Sequence, residues 1–261
     1  MSFTIRELTQ AFQQLGIRDM PVIAHASYKS FGGVDGGPQT VVDAMLASFA
    51  SVIMPTHTYK TMVTPQVGPR HNGIDYERWY PHSLNAEFYD PDMPSDPLMG
   101  IIPETLRRQT GAKRSSHPIL SFSGVCADDI LATQTLDNPL APIRKLVELD
   151  GWVVLMGVNH TVNTSIHCAE KMTGRKQFLR WALTKDGIIA CPGFPGCSAG
   201  FDDLAPDVEI FTRKVRAGNA TIRAVPLRGL FAVVFERLKR DPKDLVCGDI
   251  GCERCNEIRY L

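Results

Sequence analysis

The chain has 261 residues, 44% of them hydrophobic, which is enough to bury one sizeable core, so a single domain over residues 1–261 is expected. Lys plus Arg and Asp plus Glu both number 28, giving zero formal charge, and with no basic block the chain is not expected to bind nucleic acid. The opening stretch MSFTIRELTQAFQQLG lacks the features of a signal peptide, and no window approaches the roughly 18 apolar residues of a membrane span. A cytoplasmic protein without membrane contact is therefore expected, with its seven cysteines kept as thiols or metal ligands.

In chain order, the opening stretch predicts an amphipathic helix. Residues 21–24 are a short apolar run typical of a buried parallel strand, ending in HASYKS. Glycines 36 and 37 then precede Pro38 and a predicted helix over 38–49, where free amides suit carbonyl or phosphate oxygens but a simple turn would serve equally. A weaker strand, 51–54, ends in MPTHTYK, and about 35 residues with little periodicity follow, over 61–97. Long irregular segments in compact domains are often functional, and this one is read as a substrate-side loop. A helix is expected over 100–108, a strand over 152–158, and further helices over 165–172 and 227–239. The alternation predicts an α/β fold, three-layer α-β-α with a mostly parallel central sheet, and ligands in such sheets bind at the carboxyl ends of the strands.

Three groups of residues in those polar stretches could carry chemistry. In GVNHTVNTSIHCAE, His160 and His167 follow a strand, and His167 and Glu170 share a helix face if the helix begins near Thr164. A carboxylate one turn away orients an imidazole and raises its basicity, as a general base requires, although the same pair also fits an ordinary helix surface. The stretch KRSSHPILSF, 113–122, gathers two cations, three serines and His117, which suits a phosphate or amide ligand, or a loop that satisfies its own backbone. Cys247, Cys252 and Cys255 form C-x4-C-x2-C, and Cys191 or Cys197 is available as a fourth thiolate for a structural zinc. Buried free thiols are the alternative.

Taken together, these segments resemble the aminoglycoside 3-N-acetyltransferase family. The resemblance rests on His25-Ala26-Ser27 with Gly36-Gly37-Pro38, on Met54-Pro55-Thr56 with Thr58, and on Met99-Gly100 with Pro103-Glu104. It continues through Arg114-Ser115, His117-Pro118 and Ser121 to Gly157-Val158, His160, Asn163-Thr164, His167 and Ala169-Glu170. The matches keep their order from about residue 20 to 205, although Ala26 stands where many members have serine.

The resemblance implies transfer of an acetyl group from acetyl-coenzyme A to an amine, most simply on an aminoglycoside, with other small-molecule amines as the alternative. It makes His167 the base, Glu170 its orienting partner and His25 a neighbour of the thioester. Ser27, Ser30, Phe31, Gly32 and Gly33, together with Ser115, Ser116, His117, Ser121 and Phe122, would line the coenzyme arm. Tyr59, Asp90, Asp96, Glu104 and Thr164 are the candidate acceptor residues. Seven acids among 30 residues, Asp75, Glu77, Glu87, Asp90, Asp92, Asp96 and Glu104, would create a negative surface for a polycation. A hydrolase using Cys168 or Ser27, or a zinc-centred binding module, are the rival classes. The sequence does not distinguish a monomer from a dimer.

Overall fold

A computed structural model describes residues 2–260. Its first helix, Ile5–Gln14, starts at a reciprocal cap in which Thr4 accepts from the Glu7 amide while the Glu7 carboxylate accepts from the Thr4 amide. That pairing satisfies amides which the helix itself leaves free, and the helix buries Leu8, Ala11 and Phe12.

Ten strands follow: β1 (Pro21–Ala26), β2 (Ser51–Pro55), β3 (Met62–Val63), β4 (Lys113–Arg114), β5 (Phe122–Val125), β6 (Trp152–Met156), β7 (Phe178–Thr184), β8 (Gly187–Phe194), β9 (Arg213–Ala217) and β10 (Ala220–Pro226). Seven form the main sheet in the order β4-β5-β2-β1-β6-β10-β9, and β3-β7-β8 form a small second sheet. The expected α/β layering is present, but the sheet is mixed, and this corrects the expectation of a mostly parallel one. Only β1 with β2 and β1 with β6 run parallel. The outer pairings are antiparallel. The three runs legible as buried strands are the parallel centre, whereas β4, β9 and β10 carry charges that fit edge or half-exposed positions.

Alternation along the central strands feeds two cores. Val22, Ala24, Val52, Met54, Val154 and Met156 pack against helices Ile5–Gln14, Pro38–Leu46 and Ile101–Arg107. Ile23, Ile53, Val153 and Leu155 face the other way, onto helices Ala141–Glu148, Thr164–Met172 and Leu227–Arg240. Because side chains alternate across a pleated strand, each strand contributes to both layers. A third cluster, with Ile119, Leu120, Phe178, Ala182, Cys191 and Phe194, sits under the small sheet.

Segment 61–97 contributes β3 to that sheet and packs against it. Val63 pairs with Trp181, Asn72 bonds the Leu179 amide and carbonyl, and the Tyr89 amide reaches the Leu183 carbonyl.

Candidate active site

The carboxyl ends of β1, β2 and β6 open into a cleft of about 670 Å³, a volume suited to a small ligand. Chain geometry delivers three histidines there. His25 lies within β1, His57 follows β2 by two residues, and His167 is in the first turns of helix Thr164–Met172. Asn163 caps that helix by accepting from the Ser165 amide at 3.1 Å, which fixes where the helix begins. Gly157, just after β6, has φ +65°, and a Cβ on it would fall 1.7 Å from the Ser30 hydroxyl oxygen, so only glycine allows this turn.

His167 Nδ1 lies 3.0 Å from Glu170 Oε2, and the ring packs edge-on against Phe201 with centroids 4.6 Å apart. Glu170 is 2% exposed, and its other oxygen accepts from Arg175 at 2.7 Å. A buried carboxylate so anchored holds the proton on Nδ1 and leaves Nε2 as the acceptor of the ring. His167 lines the cleft, so that lone pair is available to a ligand.

His25 and His57 differ from His167 in having a buried Nε2 without a protein partner. Burial pushes His25 down to about 3, with His160 adding to the effect. Burial likewise takes His57 to about 3, helped by the nearby His25, His117, His167 and Arg114. Both rings are therefore neutral at ordinary pH. His57 Nδ1 is 3.0 Å from the Tyr59 hydroxyl, itself pushed up to about 12 by burial. When that hydroxyl donates to Nδ1, the ring proton sits on the buried Nε2. The His57 ring stands edge-on to Phe122, and its carbonyl accepts from the Asp96 amide at 2.7 Å.

The pattern that describes aminoglycoside 3-N-acetyltransferases matches residues 23–239. This chain belongs to the aminoglycoside 3-N-acetyltransferase family. Aminoglycoside N(3)-acetyltransferase IV from Salmonella sp is 29% identical over 248 residues, covering 90% of this chain and 87% of the relative. Aminoglycoside N(3)-acetyltransferase IX from Micromonospora chalcea is 32% identical over 167 residues, covering 60% of this chain and 58% of the relative. In fold, the chain resembles the apoenzyme of aminoglycoside acetyltransferase AAC(3)-IVa, with a TM-score of 0.80 at 24% identity over 100% of this chain and 98% of that one. AAC-IIIb, solved as a binary complex with CoASH, has a TM-score of 0.72 at 20% identity over 92% of this chain and 97% of that one.

Within this family member the structure gathers some expected site residues and leaves others elsewhere. His25, Ser27, Tyr59, Thr164 and His167 line the cleft, and Glu170 stands behind His167. Ser30 lines an adjoining, more open hollow, with Asn159, Asn219 and Arg223. Phe31 belongs to the core, and Gly32 and Gly33 turn the chain with positive φ. The polar groups of the 115–122 stretch are largely occupied within the protein, by its own backbone and by Thr56. Ser115 exchanges hydrogen bonds with Phe122, His117 Nδ1 accepts from the Ile119 and Leu120 amides, and Ser121 donates to the Thr56 carbonyl. Ser116 is exposed, Phe122 is buried beneath His57, and of this stretch only Leu120 reaches the cleft.

The acids are also placed differently from the expectation. Asp90 pairs with Lys185, Asp96 accepts from the Leu98 amide, and Glu104 is clasped by Arg107, Arg108 and Ser95. None of the three lines the cleft, and its lining holds no carboxylate, only the cations Lys29 and Arg254. His57, Lys29 and Arg254 were not singled out from sequence. His57 stood in the quoted MPTHTYK run, but nothing distinguished it there from its neighbours. Cys168 is buried with its sulfur toward the Leu140 carbonyl, and burial pushes the thiol up to about 12, so it is unsuited to be a nucleophile.

The cysteine tail forms a group of its own. One ligand atom from each of Cys197, Cys247, Cys252 and Cys255 lies within 4.8 Å of the other three. Cys191 is packed in the cluster under the small sheet instead, which settles the fourth member as Cys197.

Proposed function

We propose that this protein acetylates an amino group of an aminoglycoside at the expense of acetyl-coenzyme A. The observation that carries the reading is the Glu170-anchored His167 in the lining of a ligand-sized cleft. At neutral pH an acceptor amine is mostly ammonium and has no lone pair. His167 Nε2 takes its proton, directly or through water, as the amine attacks the thioester carbon. The carbonyl becomes an oxyanion, which neutral hydroxyl donors of the cleft lining, Ser27 and Thr164, stabilise without a charge of their own. Collapse expels the coenzyme thiolate while the nitrogen gives up its second proton, so that a neutral amide is left, one of the two protons makes the coenzyme thiol and the other passes to solvent. Holding both substrates in one cleft removes much of the entropic barrier, so direct transfer is the economical route. Of the cleft lining, Ser27 and Lys29 suit the anionic coenzyme, and Tyr59, Phe194 and Arg254 are assigned to the acceptor. The setting is cytoplasmic, where acetyl-coenzyme A is made; no helix among the described residues is long and apolar enough to cross a membrane.

A second reading keeps the chemistry but changes the acceptor. A polycation is normally met by carboxylates, and the cleft lining has none, which favours an amine of lower charge. A thiol-release assay with acetyl-coenzyme A against gentamicin, apramycin and simple primary amines separates the two. Turnover of the aminoglycosides supports the first reading, turnover of simple amines alone supports the second, and no thiol release with any acceptor refutes both. The four-cysteine group completes the proposal as a site for structural zinc, since four thiolates suit that ion and the group lies outside the cleft lining.

A further inference from the structure

The last helix, Glu253–Arg259, has seven residues, well short of the roughly 12–15 at which an isolated helix becomes even marginally stable. Its buried residues Cys255 and Ile258, with Cys247 before it, belong to none of the three hydrophobic clusters that hold the domain together. The helix nevertheless shapes the cleft. Arg254 lines it, donates to the Gly196 carbonyl at 2.9 Å and lies over the Phe194 ring at 5.8 Å. Phe194, Pro195, Gly196 and Ser198 are the rest of that wall. The four sulfurs stand at the junction, with Cys197 inside the wall segment and Cys255 next to Arg254 in the helix.

We propose that Cys197, Cys247, Cys252 and Cys255 bind one structural zinc ion that clamps this helix to the 194–198 segment and thereby fixes the acceptor wall of the cleft. The geometry is close to what the ion requires. Zinc–sulfur bonds of about 2.3 Å put the sulfurs of a tetrahedral site about 3.8 Å apart, and these lie within 4.8 Å of one another. The cluster is also furnished with donors that stabilise thiolate sulfur. The Cys247 amide points at Cys255 Sγ at 3.3 Å, the Ala199 amide at Cys197 Sγ at 3.5 Å, and the Arg259 guanidinium lies 3.9 Å from Cys247 Sγ. Binding displaces the thiol protons, and the four thiolates leave the site with a net negative charge that Arg259 offsets. The ion takes no part in acetyl transfer. Arg254 is a positioning residue that transmits the clamp to the wall. The zinc site does not depend on the acetyltransfer reading; only its consequence for the acceptor does.

The test begins with elemental analysis of reduced protein purified without added metal, for which about one zinc per chain is expected. The variants Cys252→Ser and Cys197→Ser should lose that zinc, and hydrogen exchange of the 193–199 peptide should speed up in both. Arg254→Ala should keep its zinc, show the same faster exchange, and raise KM for gentamicin about fivefold or more while kcat and the KM for acetyl-coenzyme A stay within about twofold. Metal-free protein with slow exchange at 193–199, or disulfides among these four cysteines in native mass mapping, would overturn the site. If the cysteine variants do not fold, Arg254→Ala still decides the wall. A zinc-loaded Arg254→Ala protein with unchanged exchange would overturn the clamp. Failure of gentamicin turnover would count against the acceptor reading and leave the metal and exchange results intact.

Discussion

His167 Nδ1 and Glu170 Oε2 stand 3.0 Å apart on one helix face, and Arg175 holds the far oxygen of the same carboxylate. The imidazole is thus oriented by a carboxylate that is itself immobilised, which leaves Nε2 as the proton acceptor toward the cleft. Replacing His167 with Ala is expected to lower kcat by roughly 100- to 10,000-fold while leaving acetyl-coenzyme A affinity nearly unchanged. Steady-state kinetics with calorimetric coenzyme binding check it. Near-normal turnover would exclude His167 as the base.

Glu170 acts through its neighbours and carries a structural burden as well. Its side chain is 3% exposed and that of Arg175 is 5% exposed, so Glu170→Ala strands a buried guanidinium. Arg175 keeps the Pro242 and Asp244 carbonyls as partners, and the expected loss of stability is about 3 kcal/mol. Glu170→Gln, which preserves shape and one acceptor oxygen, should unfold closer to the wild type yet still turn over at least about tenfold more slowly. Denaturant titrations alongside kcat separate the two effects, and a Gln variant with full activity would deny Glu170 its orienting role.

The buried histidines make stability depend on acid. With folded-state values at about 3, His25 and His57 stay neutral in the native protein while the unfolded chain takes up protons below the ordinary 6.5. More protons bound to the unfolded state means that the contribution is complete above pH 6.5 and drains away as pH falls toward 3. At pH 5 each of the two costs about 2 kcal/mol. His117, which burial takes to about 4, acts in the same direction. Glu104 has burial opposing it but is held down to about 2 by Arg107, Ser95 and Arg108, and it enters only below its ordinary 4.5. Urea unfolding at pH 7 and pH 5 should therefore differ by several kcal/mol, and His57→Gln should shrink the difference by about 2 kcal/mol. An unchanged difference would show that His57 titrates alike in both states.

Gly157→Ala should damage the fold more than its size suggests. The residue must keep φ +65°, costing roughly 1 kcal/mol for any side chain, and its Cβ would overlap the Ser30 hydroxyl. Relief of that overlap moves either Ser30 or the turn that leads to His160. The expected result is a fall in stability of about 2–4 kcal/mol, read as a lower melting temperature, with reduced turnover. An unaltered melting temperature would mean that the turn can relax freely.

Local pattern was enough for the central strands, for the helices beside them other than Ala141–Glu148, and for placing His167 and Glu170 on one helix face, because strand burial and the three-residue spacing on a helix are properties of short segments. Family motifs added His25 and Ser27 for the same reason, since each is anchored to a strand end that sequence places. Tertiary structure decided what depends on side chains far apart in the chain. The mixed sheet arose because β4, β5, β9 and β10 pair antiparallel at its edges, where charged strands leave little apolar signal. Ser115 and Ser121, attractive as coenzyme ligands, have their hydroxyls engaged by the Phe122 backbone and the Thr56 carbonyl. Asp90, Asp96 and Glu104 are bonded or paired outside the cleft, whose lining includes instead His57, Lys29 and Arg254, from three separate parts of the chain. Four cysteines could be counted from sequence, but the choice between Cys191 and Cys197 depended on the fold, which packs Cys191 in the cluster under the small sheet and brings Cys197, beyond β8, to the other three.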